Sequence, residues 1–120
     1  MTVMVVGGST SVFEDGNDVE YLMIGYPDNA TAWPKPADLP KTRRGHVGAL
    51  LDGVPTVCAG VFQTDCLGYS FQENAWLTTL TLPEERWYSS GVQTRHDQLW
   101  IAGGEQSEVS RTSIMVTVLD

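Results

Sequence analysis

The sequence predicts an all-β protein in which one antiparallel unit is used more than once. Three observations carry that prediction. Landmarks recur at a spacing of 43 residues: Tyr26 and Tyr69, Trp33 and Trp76, Leu39-Pro40 and Leu82-Pro83, Arg43 and Arg86, Ala59-Gly60 and Ala102-Gly103. Short β-rich runs alternate with clusters of turn residues at regular intervals. No segment carries the apolar period of a helix. Landmarks in fixed order at constant spacing mark a repeated supersecondary unit.

Taken in order, residues 3–7 form a strand that leads into Gly7-Gly8. Residues 9–18 (STSVFEDGND) follow as a long acidic loop, then strands at 19–26 (VEYLMIGY) and at 31–35 around Trp33. The second copy gives strands at 46–51, 55–60, 66–71 and 75–80, with Asp52-Gly53 as the hairpin signal between the first two. The third copy gives strands at 88–94, 98–103 and 112–118, with His96-Asp97 in the matching turn. Pro34, Pro36, Pro40 and Pro83 fall at or just after fourth strands, where a missing N–H is tolerated.

A β-repeat of this length points to the blade of a propeller. The residues also resemble a kelch repeat: a strand ending in a Gly pair, a Tyr, a Trp seven residues later, then Leu-Pro and an Arg. Copy one supplies Gly7, Gly8, Tyr26, Trp33 and Arg43; copy two supplies Gly60, Tyr69, Trp76 and Arg86; copy three supplies Gly103 and Gly104. The resemblance covers the whole chain, as a partial blade over 1–42, a full blade over 43–85 and a partial blade over 86–120. It implies antiparallel four-stranded blades of a kelch-type β-propeller. Two departures stand out. Val61 occupies the place of the second Gly in copy two, and Gly7 to Trp33 is ten residues longer than Gly60 to Trp76. The rival fold is a β-sandwich, against which the self-match argues.

Propeller rings typically need four to eight blades, and this chain holds only about 2.8 units. TVMVVGG reads as a second strand without its first, and SIMVTVLD stops in a third. The chain is therefore expected to be a fragment of a longer protein, the remaining blades coming from the same or another chain. The alternative is a ring closed by self-association. Each landmark has a mechanical role. The Gly pair permits positive φ. Tyr and Trp fill the wedge between blades, and Arg ties one blade to the next through backbone carbonyls.

The net charge is −8 with only 7 Lys and Arg, which argues against nucleic-acid binding. No apolar run is long enough for a membrane-spanning helix, and no signal-peptide pattern opens the sequence. Cys58 and Cys66 flank the turn after the Gly position and are disulfide candidates; two buried free thiols are the alternative. Asn29-Ala30-Thr31 is an N-glycosylation sequon. Together they suggest an extracellular or cell-surface setting, with the cytoplasm as the alternative.

Catalytic patterns are weak. His46 and His96 sit at different points of the repeat and do not converge with other metal ligands, so no metal and no cofactor are expected. No nucleophile elbow or phosphate loop is present. The expected function is non-enzymatic: a protein-protein interaction module whose partner binds loops on one face. The resemblance places those loops at 9–18, 37–45, 61–65, 81–87 and 105–111. Candidate binding residues are Phe13, Glu14, Asp15, Asp18, Arg44, Gln63, Asp65 and Glu105. The acidic ones favour a basic partner. The alternative is a fragment of a propeller enzyme such as a galactose-oxidase-like copper oxidase, which would need a Cys-linked Tyr; Cys66 and Tyr69 are near each other in sequence but read as strand residues of the repeat.

Overall fold

A computed structural model describes residues 2–11, 14–23, 36–105 and 113–118. β-branched and aromatic runs between turn residues become three open antiparallel sheets, with no helix among the described residues. The first sheet pairs β1 (Thr2–Ser11) with β2 (Glu14–Met23). The second is a meander of β3 (Val47–Leu51), β4 (Val54–Cys58), β5 (Asp65–Ser70) and β6 (Ala75–Thr81). The third holds β7 (Ser90–Arg95), β8 (Gln98–Ala102) and β9 (Ser113–Thr117).

The second and third sheets lie within a few residues of the expected strands. The Asp52-Gly53 turn has φ of 48° and 78°, the paired left-handed conformation that matches the twist of a tight hairpin. The first sheet differs. Residues 9–11 and 14–18, expected in a loop, extend a long hairpin in which Ser9 pairs with Asp15 and Ser11 with Glu14. Glu14, Asp15 and Asp18 therefore sit on strand β2, not on a loop. Phe13, Tyr26, Asn29 and Trp33 lie outside the described residues.

Backbone dihedrals correct the repeat register by one residue. Gly7 and Gly8 have φ of 67° and 103°, Ala59 and Gly60 of 62° and 108°, and Gly103 and Gly104 of 66° and 88°. Gly60 is thus the second member of its pair, with Ala59 as the first; Val61 is not the departure. Ala59 accepts a left-handed backbone that glycine takes in the other two units. Such a conformation is invisible to residue matching, which aligns Ala59 with Ala102.

Successive sheets are joined by one recurring clasp. The Gly8 N–H donates to the Arg43 carbonyl at 2.8 Å, and the Gly60 N–H donates to the Arg86 carbonyl at 2.9 Å. Both arginine side chains are buried and turn back to the strand end of their own unit. Arg43 Nη1 donates to the Ala59 carbonyl at 2.8 Å, and Arg86 Nη1 to the Gly103 carbonyl at 2.7 Å. At the opposite end of the second and third sheets, the Asp52 N–H donates to the His96 carbonyl, and the Gln93 side chain bonds both backbone groups of Leu50.

Two apolar clusters occupy the two junctions. Met4 and Val6 of the first sheet pack on Leu39, Val57, Leu67, Tyr69 and Trp76. On the other face of the second sheet, Val47, Leu51, Cys58 and Cys66 pack with Leu99, Ile101 and Val116 of the third. The middle sheet is covered on both faces, which explains why residues 66–69 of β5 are all buried. Tyr69 and Trp76 are direct cross-strand partners with rings 5.2 Å apart. Each finds a partner for its polar handle: Tyr69 Oη donates to Asn74 Oδ1 at 2.5 Å, and Trp76 Nε1 to the Ala37 carbonyl at 2.9 Å.

Candidate partner-binding face

The backbone around Arg44, Val61, Trp87 and Glu105 converges at one end of the second and third sheets. The Val61 N–H donates to the Arg44 carbonyl, the Tyr88 N–H to the Gly45 carbonyl, and Trp87 and Glu105 exchange backbone hydrogen bonds. Described parts of the expected loops at 37–45, 61–65 and 81–87 are thus brought together with Glu105.

Three aromatic residues stand at this end. Phe62 is 78% exposed and Tyr88 59% exposed, with Trp87 partly buried between them and Glu105. The rings of Phe62 and Trp87 are 6.4 Å apart, and Trp87 Nε1 donates to Glu105 Oε2 at 3.2 Å. The Tyr88 ring lies against the Gly45 backbone, within about 3.2 Å of where a Cβ would stand. Phe62 and Tyr88 have φ of 63° and 54°. Left-handed backbone at a bulky residue costs about 1–3 kcal/mol and collects at functional sites. Exposed aromatics on a rigid frame are also the residue types that dominate binding hot spots. None of the three was among the residues singled out in the sequence. The available signals were an aromatic just after a Gly-type turn and the Trp-Tyr pair just after the clasp arginine.

Of the sequence candidates, Arg44, Gln63 and Glu105 lie at this end. Asp65 has a structural task as well. Its Oδ1 accepts from Arg43 Nη2 at 2.7 Å, and its carbonyl accepts from Arg43 Nη1 at 3.3 Å. An apolar replacement there would leave the buried Arg43 guanidinium short of its carboxylate acceptor.

Cys58 and Cys66 form a disulfide, and they are register partners across β4 and β5. The bond closes the loop that carries Phe62. It also leaves the Cys66 sulfur committed, while Tyr69 packs on the other face of β5. No Cys66–Tyr69 link forms.

His46 lies at the first junction. One ring nitrogen, Nε2, sits 2.8 Å from the Val6 carbonyl, so this nitrogen carries the proton. Burial lowers the pKa of His46 below 6.5; the bond to Val6 opposes that shift, and the nearby Arg43 charge adds to it. His96, on the other hairpin end, pairs through Nδ1 with Asp52 Oδ1 at 2.6 Å. Among the described residues no three His, Cys, Asp or Glu side chains converge as a metal site, and no helix is long and apolar enough to cross a membrane.

A scan against protein-family models gives no match, and a search of the curated proteins gives none either.

Proposed function

We propose that the chain is a non-enzymatic protein-interaction module of kelch type, its sheets acting as blades of a β-propeller that is incomplete in this chain. It binds a protein partner through the loop end that carries Phe62, Trp87 and Tyr88. The observation that carries the binding reading is the exposed aromatic cluster held on strained backbone. The kelch reading is supported by the repeated Gly–Arg clasp and by the burial of Tyr69 and Trp76 between sheets. The aromatic anchors supply desolvated contact area, and the net charge of −8 favours a partner with a basic contact surface. The disulfide supports an extracellular or cell-surface setting over the cytoplasm. The committed Cys66 sulfur weighs against the copper-oxidase alternative, which needs that residue bonded to a Tyr.

The test is affinity capture from the secreted and surface proteins of the source, using wild-type and Phe62→Ala/Tyr88→Ala baits side by side. A protein retained by the wild type should bind the double variant on the order of 100-fold more weakly. Equal retention by both baits, with both folded, would refute the assignment of this face.

A further inference from the structure

We infer that the exposed face of the β7–β8–β9 sheet is a docking surface for a second copy of this chain, which presents its β1–β2 sheet. Val92, Trp100 and Met115 are direct cross-strand partners in one row across this sheet. They are 61%, 40% and 44% exposed. The opposite face of the same sheet, with Leu99, Ile101 and Val116, is buried against the second sheet. An in-register apolar row of this kind, standing in water, marks an interaction surface.

The chain itself shows what covers such a row. Counted from the left-handed pair that ends each inner strand, Trp100 stands three residues before Gly103, as Thr56 stands before Ala59 and Met4 before Gly7. Met4 packs beneath the second sheet, and Thr56 is buried on the face that meets the third. In both cases the next sheet in the series covers the position. The covering faces are Val57, Leu67, Tyr69 and Trp76 in one junction and Leu99, Ile101 and Val116 in the other, and both are engaged. In the same series, the corresponding face of the first sheet is the one that the β1–β2 register sets opposite Met4 and Val6. A second copy that places this sheet on the Trp100 row continues the stacking already present at two junctions. The contact is head-to-tail, so it builds closed rings or open chains rather than a two-fold dimer. It rests on the equivalence of the sheets and does not use the loop end, so the two proposals fail separately.

The experiment is sedimentation velocity of the oxidised chain over a dilution series, for wild type, Trp100→Lys, Met115→Glu and Tyr88→Ala. Wild type and Tyr88→Ala should associate reversibly. Each charged variant should weaken association on the order of 100-fold with an unchanged circular dichroism spectrum, because its side chain is exposed in the single chain. A wild type that stays monomeric at every concentration overturns the inference, and so does association untouched by both charged variants. Should a charged variant misfold, the photoreactive residue p-benzoylphenylalanine placed at Val92 decides. Crosslinks into residues 2–23 of a differently labelled copy support the contact; crosslinks into its β7–β9 sheet overturn it.

Discussion

Reduction of the Cys58–Cys66 disulfide is expected to lower stability by about 2.5 kcal/mol at 25 °C. The two residues are eight apart in sequence. Chain-entropy closure of a loop of that size removes roughly 8 cal/mol/K from the unfolded ensemble, which is about 2.5 kcal/mol. Both sulfurs are fully buried, so reduction in place keeps their volume in the core and isolates the cross-link. With a urea dependence of about 1–3 kcal/mol/M for a small domain, the midpoint should fall by roughly 1–2 M. The assay is urea denaturation followed by tryptophan fluorescence, oxidised against reduced, with thiols counted in each sample. Coincident midpoints with two titrated thiols in the reduced sample would refute the reasoning. Two free thiols in the untreated native protein would refute the disulfide itself. Because the bond closes the loop bearing Phe62, reduction should also weaken partner binding at the loop end.

Three further outcomes follow from the junctions. Gly60→Ala should cost about 2–4 kcal/mol, since its φ is 108° and the new Cβ would meet the Arg44 carbonyl oxygen at 2.8 Å; Gly53→Ala, with φ of 78° and open space, should cost only about 1 kcal/mol. Urea midpoints of the pair check the difference. Arg86→Met should cost about 2–4 kcal/mol, because it removes charge-assisted bonds to the Gly103 carbonyl and Glu84 and leaves that carbonyl unmatched. For His46, the folded pKa lies below the unfolded value of 6.5, so the unfolded chain binds more protons as pH falls through that value. Stability should therefore drop between neutral pH and mildly acidic pH, and His46→Gln should flatten that slope in the same denaturation series.

Much of this architecture was legible in the sequence, for physical reasons. Strands β3 to β9 announce themselves through apolar runs cut by turn residues. The Cys58–Cys66 pairing follows from two adjacent strands brought into register. The carbonyl bonds of Arg43 and Arg86 follow from a five-donor side chain repeated after Leu-Pro, but they stay within one unit, and the expected tie to the neighbouring sheet is made by the main-chain carbonyls of these residues instead. Other features were hidden because residue type does not specify them. STSVFEDGND looks like a loop by composition, yet residues 9–11 and 14–18 of it extend a hairpin. Ala59 has no mark of a left-handed conformation. Nothing in residue type separates Phe62 and Tyr88 from the core aromatics Tyr69 and Trp76; their left-handed backbone and exposure do. Asp65 reads as a surface carboxylate but serves a buried guanidinium.

The central claim is that one unit recurs and that its landmarks do the same work each time. Hydrogen exchange of the four tryptophan indole N–H groups, resolved by NMR and assigned with single Trp→Phe variants, tests it most directly. The Trp76 indole is buried and donates to the Ala37 carbonyl, so it should exchange slowly. Trp33, which the repeat makes its equivalent, should be covered by the second copy as Trp76 is covered by the first sheet, so it should exchange slowly in the associated chain and faster on dilution, while Trp87, bonded at the exposed loop end, should exchange fast in both. A Trp33 indole whose exchange does not slow when the chain associates would contradict the repeat, and with it the stacking of equivalent sheets.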